Sequence, residues 1–317
     1  MIDLQHCVSP PTEDFAHARL VYKLIQDIYY QDVRYMGAER FNTVIRTYPD
    51  GSRCIKFLSR NDHAGGEQVP DFFRKMTSSE KSLYNSTSRT RVQIFDLARA
   101  NSWDWFITLT LNKRKIDRYS YDEIVPRMES FTKYLRRHEC RYLIVPELHQ
   151  DGAYHFHGLV SGPLPVEWWR YDRLKSGERV EIYQISGYQL GRNEATRVTD
   201  PSRVSTYISK YVTKSTMQAV PKGKKRYWAS SRSLAKPQKE RAELDGNQLD
   251  SLIRMAIYHT AHTDPNGKMI ITLYLDSVKD DVRVDVAGSN AQAADVTGTD
   301  DVAIPLPADP LTGELLT

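Results

Sequence analysis

"LIVPELHQDGAYHFHGLV", residues 143–160, reads as two apolar runs joined by Asp151-Gly152, a dipeptide suited to a tight turn. The pattern predicts an antiparallel hairpin with strands over 141–149 and 153–161. Side chains alternate along a strand, so His155 and His157 share one face and Phe156 takes the other. Loop length decides what stands opposite them. A two-residue loop sets Leu148 opposite His155. A three-residue loop, Gln150-Asp151-Gly152, makes a type I turn closing on a glycine bulge and sets Glu147 opposite His155. Directly opposed Cβ atoms lie about 5 Å apart, close enough for their side chains to share one ion. The same register gathers Ile144, Leu148, Phe156 and Val160 into an apolar face.

Two imidazoles and a carboxylate suit manganese or, with added waters, magnesium; zinc is also chemically possible. Three protein ligands leave coordination positions open, as a catalytic site requires. His149 is a spare ligand or a supporting group. A hydrogen-bonded surface patch is the alternative for such a cluster.

A second segment, "YISKYVTK" at 207–214, places Tyr207 and Tyr211 four apart, on one face of a helix predicted to start at Pro201 and run to about residue 215. Lys210 and Lys214 fall on or beside that face. A phenol is a weak nucleophile at its ordinary pKa and needs positive charge around its electrophile, which lysines or a metal ion supply at a phosphate. An amphipathic helix burying its tyrosines and rimmed by lysines is the plain alternative.

A third segment, "WFITLTLN" at 105–112, reads as a strand with Phe106, Thr108 and Thr110 on one face and Ile107, Leu109 and Leu111 on the other. Elsewhere the pattern predicts a helix from Ser78-Ser79 carrying Arg89, Arg91 and Arg99, a helix over 121–138, a strand over 180–186, a helix over 247–261 and a strand over 268–276. "EWWRYDRL" at 167–174 suggests a short helix, and "KKRYWASSRSL" at 224–234 is basic and strand-prone. Residues 15–30 are apolar at helical spacing, and Pro49-Asp50-Gly51 marks a hairpin turn. These features divide the chain into an N-terminal segment (1–76), a main domain (77–275) and an acidic tail (276–317) too poor in large apolar groups to order itself.

The net charge is +4 over 317 residues. It is uneven: residues 276–317 hold nine acids and two bases, a net of −7, leaving +11 on residues 1–275. A basic body suits a phosphate-rich partner. No apolar run approaches membrane-spanning length, and three scattered cysteines fit no disulfide framework, which points to the cytoplasm.

Taken in order, "WFITLTL", "VPELHQDGAYHFHGLV" and "YISKYVTK" resemble the three motifs of rolling-circle replication initiators, the HUH endonucleases of small phages and plasmids. The resemblance spans about residues 79–235. It implies an α+β fold, a central antiparallel sheet of ferredoxin-like or RRM-like type with helices packed on one face and the site on the other. It implies Mg²⁺ or Mn²⁺ held by Glu147, His155 and His157, and attack by Tyr207 on a phosphodiester of single-stranded origin DNA, leaving a 5′-phosphotyrosine. Lys210 would steady the phosphate, and Tyr211 would be a second nucleophile or a helper. Thr108, Thr110, Lys214, Lys225 and Arg226 are expected to face DNA. Lys113, Arg114, Lys115, Lys222 and Lys224 would add charge, and Trp103, Trp105 and Trp228 would stack on bases. No Walker-type phosphate loop occurs, so a host helicase and polymerase in a bacterial cytoplasm are the expected partners, with no membrane. Rival readings are a relaxase or transposase of the same superfamily, a nucleic-acid-binding module without catalysis, and a zinc hydrolase.

Overall fold

The computed structural model describes residues 40–58, 75–173, 179–212, 214–221, 223–256, 258–263 and 269–275. The helix expected at 15–30, the acidic tail and Cys7 lie outside them. The chain divides into two compact units, one built on Leu83–Lys236 and one on Ser9–Ser82 with Pro237–Leu316.

The unit holding the quoted hairpin is a seven-stranded sheet. Its elements are α1 (Ser78–Arg99), β3 (Trp105–Thr110), α2 (Tyr121–Arg137), β4 (Arg141–Leu148), β5 (Tyr154–Ser161), β6 (Val166–Arg173), β7 (Arg179–Ile185), β8 (Asn193–Arg197), α3 (Pro201–Ser209), α4 (Lys214–Ala219) and β9 (Trp228–Ala229). The strand order is β6-β7-β8-β3-β5-β4-β9, and the paired strands run antiparallel. The α+β class and antiparallel sheet follow expectation. β3 and β5 lie side by side at the centre, which brings the first and second motifs into register: Thr108 opposite His157, Thr110 opposite His155.

Alternation gives this sheet two apolar faces. Ile107, Leu109, Ile144, Phe156 and Val160 pack with Ile124, Met128 and Leu135 of α2. On the reverse, Phe106, Leu143, Val145 and Leu159 pack with Ile94 and Leu97 of α1 and Val204 and Ile208 of α3. The expected open face is therefore covered by α1 and α3 over much of its area. The site lies where the strand sequences change from Phe106, Val145 and Leu159 to Thr108, Thr110, Glu147, His155 and His157. Burying an apolar side chain stabilises by about 1.5–3 kcal/mol, which is reason enough for helices to cover that apolar part.

Three local expectations are revised. "EWWRYDRL" is strand β6 rather than a helix, because its residues pair with β7 along most of their length. The helix expected over 247–261 stops at Met255, and extended backbone at Ala256 leads toward a strand. The helix from Ser78 takes its cap one residue earlier: Thr77 Oγ1 accepts from the Glu80 N–H, and Glu80 Oε2 accepts from the Thr77 N–H. Of "KKRYWASSRSL", only Trp228–Ala229 join the sheet, beside Leu143 and Ile144.

The other unit is a five-stranded sheet: β1 (Arg40–Thr47), β2 (Arg53–Leu58), β10 (Gln238–Asp245), β11 (Tyr258–Thr263) and β12 (Met269–Leu275), with α5 (Gly246–Met255). Its order is β10-β1-β2-β12-β11. β1 and β2 form the expected hairpin, with Gly51 at φ 81° in its turn. Phe41, Ile55, Phe57, Leu244, Leu252 and Leu273 form its core. Cys54 in this sheet and Cys140 in the other are buried and free. No helix among the described residues is long and apolar enough to cross a membrane.

Candidate metal centre and tyrosine pair

The hairpin adopts the three-residue loop. The Gly152 N–H donates to the His149 carbonyl at 2.8 Å, the His149 N–H donates to the Ala153 carbonyl at 2.9 Å, and Gly152 sits at φ 81°. Asp151 Oδ1 accepts from the Ala153 N–H, a side-chain bond that stabilises the turn. Glu147 consequently stands opposite His155, and Val145 opposite His157.

The candidate ligand atoms of Glu147, His155 and His157 all lie within 4.8 Å of one another, making a possible metal-binding triad. Glu147 Oε2 is 2.7 Å from His157 Nε2. Each histidine turns its other ring nitrogen to a threonine of β3: His155 Nδ1 is 3.2 Å from Thr110 Oγ1, and His157 Nδ1 is 3.4 Å from Thr108 Oγ1. A partner at Nδ1 directs Nε2 into the site and sets the tautomer. Both imidazoles are only 7% exposed. Burial, helped by His157 and His149, lowers the His155 pKa to about 3. Burial also lowers that of His157, outweighing the opposing effect of Glu147. Two neutral imidazoles beside one carboxylate are the protonation states that metal binding requires. His149 stands next to His155, with ring centroids 4.6 Å apart, outside the triad.

The tyrosine segment closes on this cluster. Tyr207 lies on α3, but the helix ends at Ser209, so the continuous helix expected to about residue 215 is interrupted. Residues 210–212 form tightened turns: the N–H groups of Lys210, Tyr211 and Val212 reach back to Tyr207, Ile208 and Ser209. Two contacts hold this shape. The Tyr211 ring stacks on His157 with centroids 3.6 Å apart and planes at 16°. Arg91 of α1 donates from Nη2 (2.6 Å) and Nε (3.2 Å) to the Val212 carbonyl. The Tyr211 hydroxyl donates to that of Tyr207 at 2.7 Å. Burial, then the neighbouring Tyr207, push the Tyr211 phenol well above its ordinary pKa. Tyr207 rests edge-on against Phe106, centroids 5.1 Å apart, and Lys210 Nζ lies 5.7 Å from the Tyr207 ring centroid.

The expected DNA contacts fare unevenly. Thr108 and Thr110 lie beside the cluster with their hydroxyls on the histidines. Lys225 pairs with Glu129 of α2 at 2.7 Å, and Arg226 bonds Thr90 of α1 at 3.4 Å. Lys224 pairs with Asp122, and Lys115 reaches the Gln189 carbonyl. The side chains of Lys214 and Lys222 lie outside the described residues. The expected stacking tryptophans are core: Trp103 is 5% exposed, Trp105 3% and Trp228 3%. The indole N–H of Trp103 donates to the Ala98 carbonyl. Arg91, expected to be solvated or to face DNA, instead fastens the tyrosine segment; nothing in its local sequence marks a partner 121 positions away.

Residues 104–216 match the model of a replication-associated protein family of ORF2 type, a span holding the triad, both threonines and both tyrosines. No curated protein and no solved structure matches the chain. Over residues 104–216, the protein resembles the replication initiators of this replication-associated family.

Proposed function

We propose that this protein initiates DNA replication by nicking single-stranded origin DNA through a covalent phosphotyrosine, acting in a bacterial cytoplasm alongside host helicase and polymerase. The observation that carries this reading is the convergence of the tyrosine pair on the Glu-His-His triad, with Tyr211 stacked on His157 and bonded to Tyr207. Glu147, His155 and His157 offer a donor set that suits Mg²⁺ or Mn²⁺. Such an ion, when bound, polarises the scissile phosphate and offsets its charge.

Tyr207 is the nucleophile in this reading. Its phenol loses a proton, its oxygen bonds to phosphorus, and the bond to the 3′ oxygen breaks. The leaving 3′ oxygen gains a proton, so no net oxidation or reduction occurs. The 5′-phosphotyrosine keeps the phosphodiester available for a later strand transfer. Lys210, beside the Tyr207 ring, supplies positive charge near the phosphate. Tyr211 positions Tyr207 through the hydroxyl pair, and its buried phenol is the poorer nucleophile in this arrangement.

The test is adduct formation on labelled single-stranded origin DNA with Mn²⁺ or Mg²⁺. A protein–DNA adduct that survives denaturant is expected with wild type and is expected to vanish with EDTA, with His155→Ala and with Tyr207→Phe. An adduct that persists when both Tyr207 and Tyr211 are replaced by Phe would refute the mechanism.

A further inference from the structure

The edge strand β6 exposes the largest aromatic surface of its unit. Trp168 is 54% exposed and Tyr171 48%, and their rings meet edge-on with centroids 5.5 Å apart. Pairing defines the face they occupy. Trp168 stands opposite Tyr183, Tyr171 opposite Glu181, and Tyr183 opposite Ala195. Arg197 is two residues beyond Ala195 and Arg179 two before Glu181, so both arginines share that face. It is the side of the sheet away from His155 and His157. Arg179 lies over the Tyr171 ring at 3.9 Å, and Arg197 over the Trp105 ring at 3.8 Å.

The charge pattern separates this patch from its neighbours. Arg170 and Arg192, which flank Trp169, are neutralised by Asp172 and Glu194. Arg179 and Arg197 are exposed and have no carboxylate partner among the described residues. Glu181 accepts the Tyr183 hydroxyl. The patch therefore offers open aromatic faces interleaved with uncompensated guanidinium groups. A protein partner would be expected to meet apolar surface or acid–base pairs there. Unpaired nucleotides bring both things the patch lacks, π-faces to stack and phosphates to pair. A β-bulge between Trp168 and Arg170 distorts this edge. Such a bulge disfavours addition of another strand, which removes the ordinary use of a sheet edge.

We infer that Trp168, Tyr171, Arg179 and Arg197 form a stacking platform for single-stranded DNA, an anchor distinct from the nicking site on the opposite face. The inference rests on the proposed DNA-nicking function and extends it to nucleotides outside the cleaved step. The strand would pass the β6 edge between the two faces.

Binding of a fluorescein-labelled oligothymidylate of about 15 nucleotides, followed by anisotropy in EDTA, isolates the anchor from cleavage. The double variant Trp168→Ala/Tyr171→Ala is expected to lose about tenfold or more in affinity, while Trp168→Phe/Tyr171→Phe stays near wild type. Arg179→Ala/Arg197→Ala should bind more weakly and with a shallower salt dependence. All these variants should melt as wild type does, since they alter exposed side chains. Wild type should also prefer oligothymidylate to an abasic backbone of equal length, and the double alanine variant should not.

Unchanged affinity in Trp168→Ala/Tyr171→Ala overturns the inference, even if that variant still forms the phosphotyrosine adduct. So does failure of wild type to bind oligothymidylate. Loss of a wild-type dimer on sedimentation, with DNA affinity intact, would make the patch a protein interface and equally overturn it. The converse result, normal oligothymidylate binding without any adduct on origin DNA, faults the nicking mechanism and leaves the anchor standing.

Discussion

Replacing Thr110 with Val removes one oxygen from behind one candidate ligand and leaves the shape of β3 almost unchanged. That oxygen lies 3.2 Å from His155 Nδ1. His155 is neutral, with its pKa lowered to about 3 by burial, so it carries a single ring proton. With the proton on Nδ1 and donated to Thr110, the Nε2 lone pair faces the site. Without the hydroxyl, a buried N–H loses its partner at a cost of about 1–3 kcal/mol. The proton then moves more readily to Nε2, and that tautomer cannot ligate. Loss of such an orienting partner typically lowers metal affinity about 10- to 100-fold, equivalent to about 1.4–2.7 kcal/mol. Titration calorimetry with Mn²⁺ measures the affinity, and imidazole ¹⁵N shifts measure the metal-free tautomer. Thr110→Ser keeps the hydroxyl and should bind near wild type. Thr108→Val should lose less, because the Thr108 bond is longer at 3.4 Å and Glu147 also acts on His157, at 2.7 Å from Nε2. A threonine hydroxyl both donates and accepts, so Thr108 serves either tautomer of His157 by rotating. Mn²⁺ affinity and tautomer unchanged in Thr110→Val would refute this account of the β3 threonines.

Two further outcomes follow from the packing around the site. Arg91→Ala leaves the Val212 carbonyl without its guanidinium and should destabilise the protein by about 1–3 kcal/mol on denaturant unfolding, with the loss of adduct formation exceeding the loss of folded protein; an unchanged unfolding midpoint would show that the tyrosine segment does not depend on Arg91. Gly158→Ala sets a Cβ 2.9 Å from Ile144 Cγ1 and 3.0 Å from Ile107 Cγ1, an overpacking that costs about 1–3 kcal/mol. Gly152→Ala meets nothing within 4 Å and strains only its φ of +81°, a penalty of about 1–2 kcal/mol; thermal unfolding should rank Gly158→Ala as the more damaging, and the reverse order would contradict this core geometry.

Local sequence is enough to identify the hairpin and its consequences. Strand alternation puts His155 and His157 on one face whatever surrounds them, and Gly152 as the last residue of a three-residue loop permits the turn that brings Glu147 opposite His155. The four-residue spacing of Tyr207 and Tyr211 also carries through, although the helix stops between them, because tightened turns still bring the hydroxyls within 2.7 Å. The tryptophans escape sequence reasoning for a physical reason: an indole has the same local signature whether it fills a core or faces water. Trp105 is core because β3 is a central strand with neighbours on both sides, and Trp168 is exposed because β6 is an edge. Strand order is a property of long-range hydrogen bonding and leaves no local mark. The same holds for the sheet that joins residues 40–58 to residues 238–275, and for Arg91, whose partner lies 121 residues away. Covalent geometry sets the periods of strands and turns, so the chain alone dictates which residues face together along each of them. Which strands are neighbours, which faces meet water and which basic side chains remain available to a phosphate all depend on contacts between segments distant in the chain, and those exist only in the folded molecule.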